Sequence, residues 1–290
     1  MQQRILGPDG PGVGAIGVGT GPMAASEDRP SPEDGAKILV RATELGVTLW
    51  DTADAYCLDE SEVGYGERVC QIAYAALPFD LRDQVVIATK GGSIRPNGAW
   101  KQDGRPEHLR GAIEASLKAL QTDCIDLYQL HAPDSQVPFS DSIGAIAQAQ
   151  QAGKIRRIGL SNVSAAQIDQ AVHIAPIASV QNQMNFYQRA PERDGVLEKC
   201  RELGLAFLPY SPLGGADGAK SLDEDGAVGA VASELGVSPQ CVVLAWLLGK
   251  YDKMIPIPGT RRVATIEDSA RAGEIHLTSA QIGQLDAAGV

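Results

Sequence analysis

The sequence predicts an α/β protein, a (β/α)8 TIM-type barrel preceded by an N-terminal β-hairpin, and three observations predict it. Eight short apolar, β-branched-rich runs recur along the chain, at 15–19, 47–51, 85–90, 125–131, 157–161, 178–181, 205–210 and 254–258. Stretches with helical periodicity separate them, which argues for parallel strands joined by βα units and buried on both faces. Eight is the number that closes a barrel, and polar residues stand at the C-terminal ends of several runs, where a parallel barrel carries its active site. An open doubly wound sheet is the rival architecture. No linker, low-complexity tract or composition shift interrupts the 290 residues, so 1–290 reads as a single domain.

Taken in order, the chain opens with the short run RIL followed by GPDGPG, the chemistry of a tight hairpin. Residues 12–17, GVGAIG, formally match a dinucleotide fingerprint. That fingerprint works only between a strand and a helix whose N-terminus faces the pyrophosphate. Here the glycines precede the first strand, so they read as turn residues. The first helix has Ser31 as its N-cap, Pro32 in its first turn and Gly46 at its close. Further on, Leu109, Ile113, Leu117 and Leu120 share one helical face, and Ser164 caps the next helix. PERDGVLEKCRELG reads as one helix ending at Gly204, and SPQCVVLAWLLGK and TSAQIGQLDAA complete the helical pattern.

Composition narrows the partners. A net charge of −11 disfavours nonspecific attraction to nucleic acid and to anionic membrane surfaces. The longest apolar run, Cys241 to Gly249, is about half of what a membrane span needs. The N-terminus lacks a charged lead followed by an apolar stretch, so no secretory signal is expected and the expected location is cytoplasmic. Five scattered cysteines without a CxxC pair read as reduced, packed thiols. The four histidines show neither HxH nor HExxH spacing, so no metal is expected.

The strand ends carry the chemistry. Asp51 ends the second run, with Tyr56 in the loop after it; Lys90 ends the third and His131 the fourth. Ser161 and Asn162, Gln181 and Tyr210 end the fifth, sixth and seventh. A carbonyl that accepts hydride becomes an alkoxide and needs both a proton and a donor to hold the developing charge. Tyrosine, with a pKa of about 10, is a poor acid near neutrality. A neighbouring Lys90 ammonium is expected to lower it, with Asp51 fixing the lysine and His131 orienting the substrate oxygen. Trp100, in a Gly/Pro-rich strand-end loop, is the expected substrate wall, followed by Phe186 and Tyr187. Trp50 points to the opposite face of its strand from Asp51 and reads as packing, as does Trp246.

RILGPDGPGVGAIGVGT, WDTADAY, VVIATKGG, IDLYQLHAPD, GKIRRIGLSN, ASVQNQMNFYQR, FLPYSPLGG and IPIPGTRR resemble, in order, the segments of the aldo-keto reductase family, over nearly the whole chain. The resemblance is closest in look to microbial and plant members of the pyridoxal-reductase and sugar-dehydrogenase type. It implies NADPH binding without a Rossmann fold, with NADH possible, and a catalytic tetrad of Asp51, Tyr56, Lys90 and His131 with Tyr56 as the acid. It further implies that Ser161, Asn162 and Gln181 hold the nicotinamide carboxamide and that Tyr210 stacks on its ring. The backbone around Ser211, Leu213 and Gly215 would wrap the pyrophosphate. Gly259, Thr260, Arg261, Arg262, Glu267 and Asp268 would meet the adenosine end.

Four departures stand out. Glu267–Asp268 replaces the family's usual Glu-Asn, and Ile257–Pro258 stands where a lysine is common, leaving Arg261 and Arg262 to meet a 2′-phosphate. The CLDESEVGYGE segment reads as a long loop whose Asp59, Glu60, Glu62 and Glu67 form either a solvated surface or a rim disfavouring anionic substrates. The chain also stops after its last helix pattern, which implies an open substrate site. The implied partner is a small carbonyl or alcohol, and the oligomeric state is not legible. The alternative to an enzyme is a nicotinamide-binding regulatory subunit of a larger assembly; a metal-assisted barrel hydrolase or lyase is a more distant rival.

Overall fold

The computed structural model describes residues 1–288. Its centre is a curled parallel sheet in which Val18–Gly19, Leu49–Asp51, Val86–Gly91, Ile125–Leu130, Ile155–Ser161, Ile177–Gln181 and Ala206–Phe207 lie side by side in chain order. The eighth run, 254–258, closes the barrel through isolated parallel bridges, Phe207 to Met254 and Tyr210 to Ile257 on one side and Gly19 to Gly259 on the other. Its irregularity has a chemical cause. Pro256 and Pro258 accept from Gly17 and Gly19 at 2.9 and 3.0 Å but have no N–H to return. Half of that ladder is therefore missing.

The alternation along the second strand shows how the core divides. Leu49 packs inside the barrel with Ala88, Leu127, Ala206, Leu208, Ile255 and Ile257. Trp50 faces outward into the larger layer between sheet and helices, fully buried with Tyr128, Leu160 and Ile113, as its strand position predicts. Gln3–Ile5 and Gly12–Gly14 pair antiparallel as the expected hairpin, with Gly12 opposite Ile5. Leu6 and Val13 then pack among the inner residues of the barrel. The glycine-rich start is thus a strand and turn, not a phosphate loop.

Helix starts follow their predicted caps. Ser31 Oγ accepts from the Asp34 amide, and Ser164 forms a full capping box with Gln167. The expected single helix before Gly204 is instead two, Ala190–Arg193 and Val196–Leu203. The break falls at Gly195, whose φ of 84° lies in the left-handed region that a side chain would strain. The acidic segment after Tyr56 is also corrected. It folds into a 3-10 turn, Glu60–Glu62, and its end enters the helix Tyr65–Ala76. Among the described residues no single helix is long and apolar enough to cross a membrane.

Candidate active site

Three neighbouring strand ends bring the predicted tetrad together, Asp51 and Tyr56 coming from one of them. Lys90 and Asp51 are both buried, on adjacent strands, and pair at 2.5 Å. The Lys90 ammonium also donates to the Thr52 carbonyl at 2.9 Å and to the Tyr56 hydroxyl oxygen at 3.1 Å. An ammonium has three donors and no acceptor, so all three are committed. The Tyr56 oxygen therefore accepts, and its own proton is left for a group in the cleft. Asp51 receives Lys90 on one oxygen; on the other it receives the Gln129 and Gln181 amides at 3.1 and 2.7 Å.

Gln129 is a site residue that sequence reasoning missed. Its signal was a lone amide two residues before His131, on the same strand face as the histidine. Room for it comes from Gly159 on the next strand. A Cβ there would lie 2.7 Å from Gln129 Cγ and 2.5 Å from Ser179 Oγ. With its amide hydrogens directed at Asp51 and, at 3.3 Å, the Gln129 oxygen, Gln181 keeps only its own carbonyl oxygen for a ligand.

His131 places its ring 5.6 Å from that of Tyr56, edge to face. Burial, reinforced by the Lys90 charge, holds its pKa well below the ordinary imidazole value. The ring is therefore neutral at neutral pH, and among the described residues its buried Nδ1 has no hydrogen-bond partner. The expectation that Lys90 lowers the Tyr56 pKa is corrected in its net direction. Burial raises that pKa, Lys90 opposes it, and the Asp51 carboxylate adds to the rise. Lys90 itself ends above the usual lysine value: burial lowers it, but Asp51 and Tyr56 outweigh burial. The arrangement holds a phenol that stays protonated at neutral pH and is aimed outward.

A cleft of about 1100 Å³ runs from Asp51 and Tyr56 past Tyr210, Ser211, Leu213 and Gly215 to Gly259, Thr260, Arg261, Arg262 and Asp268. Asn162 ties together three of the residues expected at the nicotinamide end. It donates to the His131 carbonyl at 3.0 Å and to Ser161 Oγ at 3.1 Å, and accepts from the Tyr210 hydroxyl at 2.9 Å. Asn162 and Ser211 both hold positive φ, 58° and 46°, the kind of backbone strain that concentrates at functional loops. At the far end, Arg261 pairs with Asp28, which also lines the cleft. Asp268 accepts from Ser238, whereas Glu267 pairs with Arg41 at 2.8 Å and does not line the cleft.

The proposed walls differ. Trp100 is 49% exposed and stands edge to face against both Tyr56 and His131, at 6.3 and 5.8 Å. It lies near the tip of a small hairpin, Ser93–Ile94 paired with Lys101–Gln102. Phe186, by contrast, is 1% exposed and packs on Trp246 at 5.6 Å in the core, so it is not a wall. Its partner Tyr187 is the exposed member of the pair. The acidic rim dissolves as well: Glu62 pairs bidentately with Arg29 at 2.7 and 2.8 Å, and Glu67 is buried, accepting from Thr89 at 2.6 Å.

Behind Lys90 lies a buried acidic pair, Asp54 and Glu67. Burial, then the Glu67 charge, raises Asp54 far above the carboxylate range, and burial raises Glu67 too. Raised acids favour folding while protonated; that contribution is complete below their unfolded pKa of about 4 and is lost as pH rises through the folded values. Asp54→Asn removes one such group. It should leave the melting temperature nearly unchanged at pH 4 and raise it at pH 8 by about 2–4 °C per kcal/mol recovered, the scaling for domains of ~150–250 residues. A gap between the two proteins that stays constant across calorimetric scans from pH 4 to 8 would contradict this assignment.

Residues 15–289 match the Aldo/keto reductase family. An uncharacterised oxidoreductase of Schizosaccharomyces pombe is 38% identical over 254 residues, which cover 87% of this chain and 78% of the relative. A thermostable aldo-keto reductase solved with the inhibitor epalrestat superposes with a TM-score of 0.85 at 29% identity, each chain covered in full. An aldo/keto reductase from Klebsiella pneumoniae, solved with NADP and acetate, gives 0.82 at 26% identity, covering 99% of this chain and 95% of the other.

Proposed function

Because the chain belongs to the aldo/keto reductase family, we propose that it is an NADP-dependent oxidoreductase interconverting an aldehyde or ketone and its alcohol, with Tyr56 as general acid and base. The observation that carries this reading is the direction of the Tyr56–Lys90 hydrogen bond. Lys90 can only donate, so the tyrosine proton is free to enter the cleft.

Beside the cleft, Gln181 keeps its amide oxygen as an acceptor and Asn162 holds the Tyr210 hydroxyl, an arrangement that would suit a carboxamide beside a flat ring. The turn from Ser211 to Gly215 lines the middle, where a pyrophosphate would lie, and Arg261 and Arg262 line the end that a 2′-phosphate would reach. The chemistry supplied by bound NADPH is hydride donation to the carbonyl carbon. Tyr56 then gives its proton to the carbonyl oxygen, while neutral His131 and Trp100 bound the space that oxygen enters. Lys90 and Asp51 act through Tyr56, holding its oxygen and limiting the charge that develops there.

Titration with NADPH and NADH followed by turnover of a panel of aldehydes tests the proposal; absence of any nicotinamide binding would end it. The Arg261→Ala/Arg262→Ala double variant sharpens the cofactor part. It should weaken NADPH binding about tenfold or more, the scale of one lost charged hydrogen bond, and NADH binding much less. Equal losses for both cofactors would remove these arginines from the 2′-phosphate role.

A further inference from the structure

We propose that Arg95 is a positioning residue that sets substrate specificity by clamping Trp100 to the loop that follows Tyr56. The inference rests on the reading of Trp100 as a wall of the carbonyl pocket.

Arg95 stands on the hairpin that carries Trp100, just before its tip, and is 7% exposed. Its planar guanidinium bridges two loops. Nε and Nη2 donate to the Gly98 carbonyl at 3.0 and 2.8 Å, within the hairpin tip. Nη1 donates to the Cys57 carbonyl at 2.8 Å and Nη2 to Leu58 at 2.9 Å, in the segment directly after Tyr56. Glu60 adds a second tie between the same loops, accepting from the Asn97 amide at 2.6 Å. The guanidinium carbon also sits 4.3 Å from the centre of the Trp100 ring.

Two features make this a device for Trp100 rather than ordinary packing. Among the described residues Arg95 forms no ion pair with a carboxylate; it is a buried cation held by carbonyl dipoles and an aromatic face. Such a cation is costly to desolvate unless those partners stay in place, and desolvation in turn strengthens its hold on the indole. Trp100 is half exposed and, among the described residues, lies outside the buried hydrophobic clusters. Its ring is located by Arg95 on one side and by Tyr56 and His131 on the other. The distance between the wall and the proton donor is therefore set where the guanidinium meets the indole, with the Glu60–Asn97 tie holding the loop backbones beside it. Aldehydes with an aromatic group that reaches past Tyr56 and His131 read this distance, and short aliphatic aldehydes do not.

The test compares Arg95→Lys and Arg95→Ala with the wild type, using 4-nitrobenzaldehyde and propionaldehyde as probes with NADPH. KM for 4-nitrobenzaldehyde should rise by about tenfold, the scale of one desolvated cation–π contact. KM and kcat for propionaldehyde, and the Kd for NADPH, should not change. In a Trp100→Leu background, Arg95→Lys should add nothing to the 4-nitrobenzaldehyde effect. Acrylamide quenching gives a readout independent of turnover: Trp50 and Trp246 are buried, so the quenchable emission is that of Trp100, and it should quench more readily in Arg95→Lys. Equal losses with both aldehydes, additive effects in the Trp100→Leu background, or quenching identical to wild type would overturn the proposal. If the wild type binds no NADPH and turns over neither aldehyde, the reductase reading fails while quenching still decides the clamp. Arg95→Lys keeps the charge and decides the matter if Arg95→Ala does not fold.

Discussion

Tyr56→Phe is expected to lower kcat by about 10²–10⁴-fold, the usual contribution of a positioned general acid, with NADPH affinity nearly unchanged. The variant removes only the hydroxyl. Its ring still meets Trp100 and His131 edge to face, and no cofactor-facing backbone is altered. Near-full turnover would place the proton donor elsewhere. The pH dependence adds a second constraint. Since burial and Asp51 keep the Tyr56 pKa above its ordinary value of about 10, the acid form persists across the neutral range. Reduction should therefore not fall off with pH until the medium is strongly alkaline. A decline centred near neutrality would mean that another group delivers the proton, because His131 is already neutral there.

Lys90→Met should be the most destabilising single change near the site, by about 3–5 kcal/mol, because it leaves a fully buried aspartate without its counter-charge. Asp51 would retain only the Gln129 and Gln181 amides. The Thr52 carbonyl in turn loses its ammonium donor, and Tyr56 loses the donor that orients its hydroxyl. Combining Lys90→Met with Asp51→Asn removes both charges and should recover most of that loss while leaving turnover impaired. Denaturant unfolding of the two variants separates the effects. If the double variant is no more stable than Lys90→Met alone, the cost does not come from an unpaired buried charge. Recovered stability with lost turnover would show that the pair is kept for chemistry rather than for folding.

The fold and the site were legible in the sequence to different depths. Seven of the eight apolar runs form ladder strands; the eighth is reduced to bridges by Pro256 and Pro258, although its apolar pattern reads as a strand. The tetrad was legible because period-two alternation and strand-end position together place Asp51, Lys90 and His131 around one mouth. Phe186 was misread because its place after a strand end says nothing about which way the loop folds back. Only its packing on Trp246 decides that. Glu67 was misread for a related reason: the helix Tyr65–Ala76 begins earlier than the acidic run suggests and carries it inward to Thr89.

The sequence by itself therefore determined the strand succession, the barrel class and which polar residues stand at the strand ends, since these depend on local periodicity and on residue type. Tertiary structure alone decided how those residues are tuned. That Gln129 and Gln181 converge on Asp51, that Gly159 leaves Gln129 room, and that burial lifts the Tyr56 pKa all depend on neighbours far away in the chain. So does the clamp that Arg95 places on Trp100 from both loops. Desolvation and hydrogen-bond commitment are properties of a packed neighbourhood, and that neighbourhood exists only once the barrel has closed.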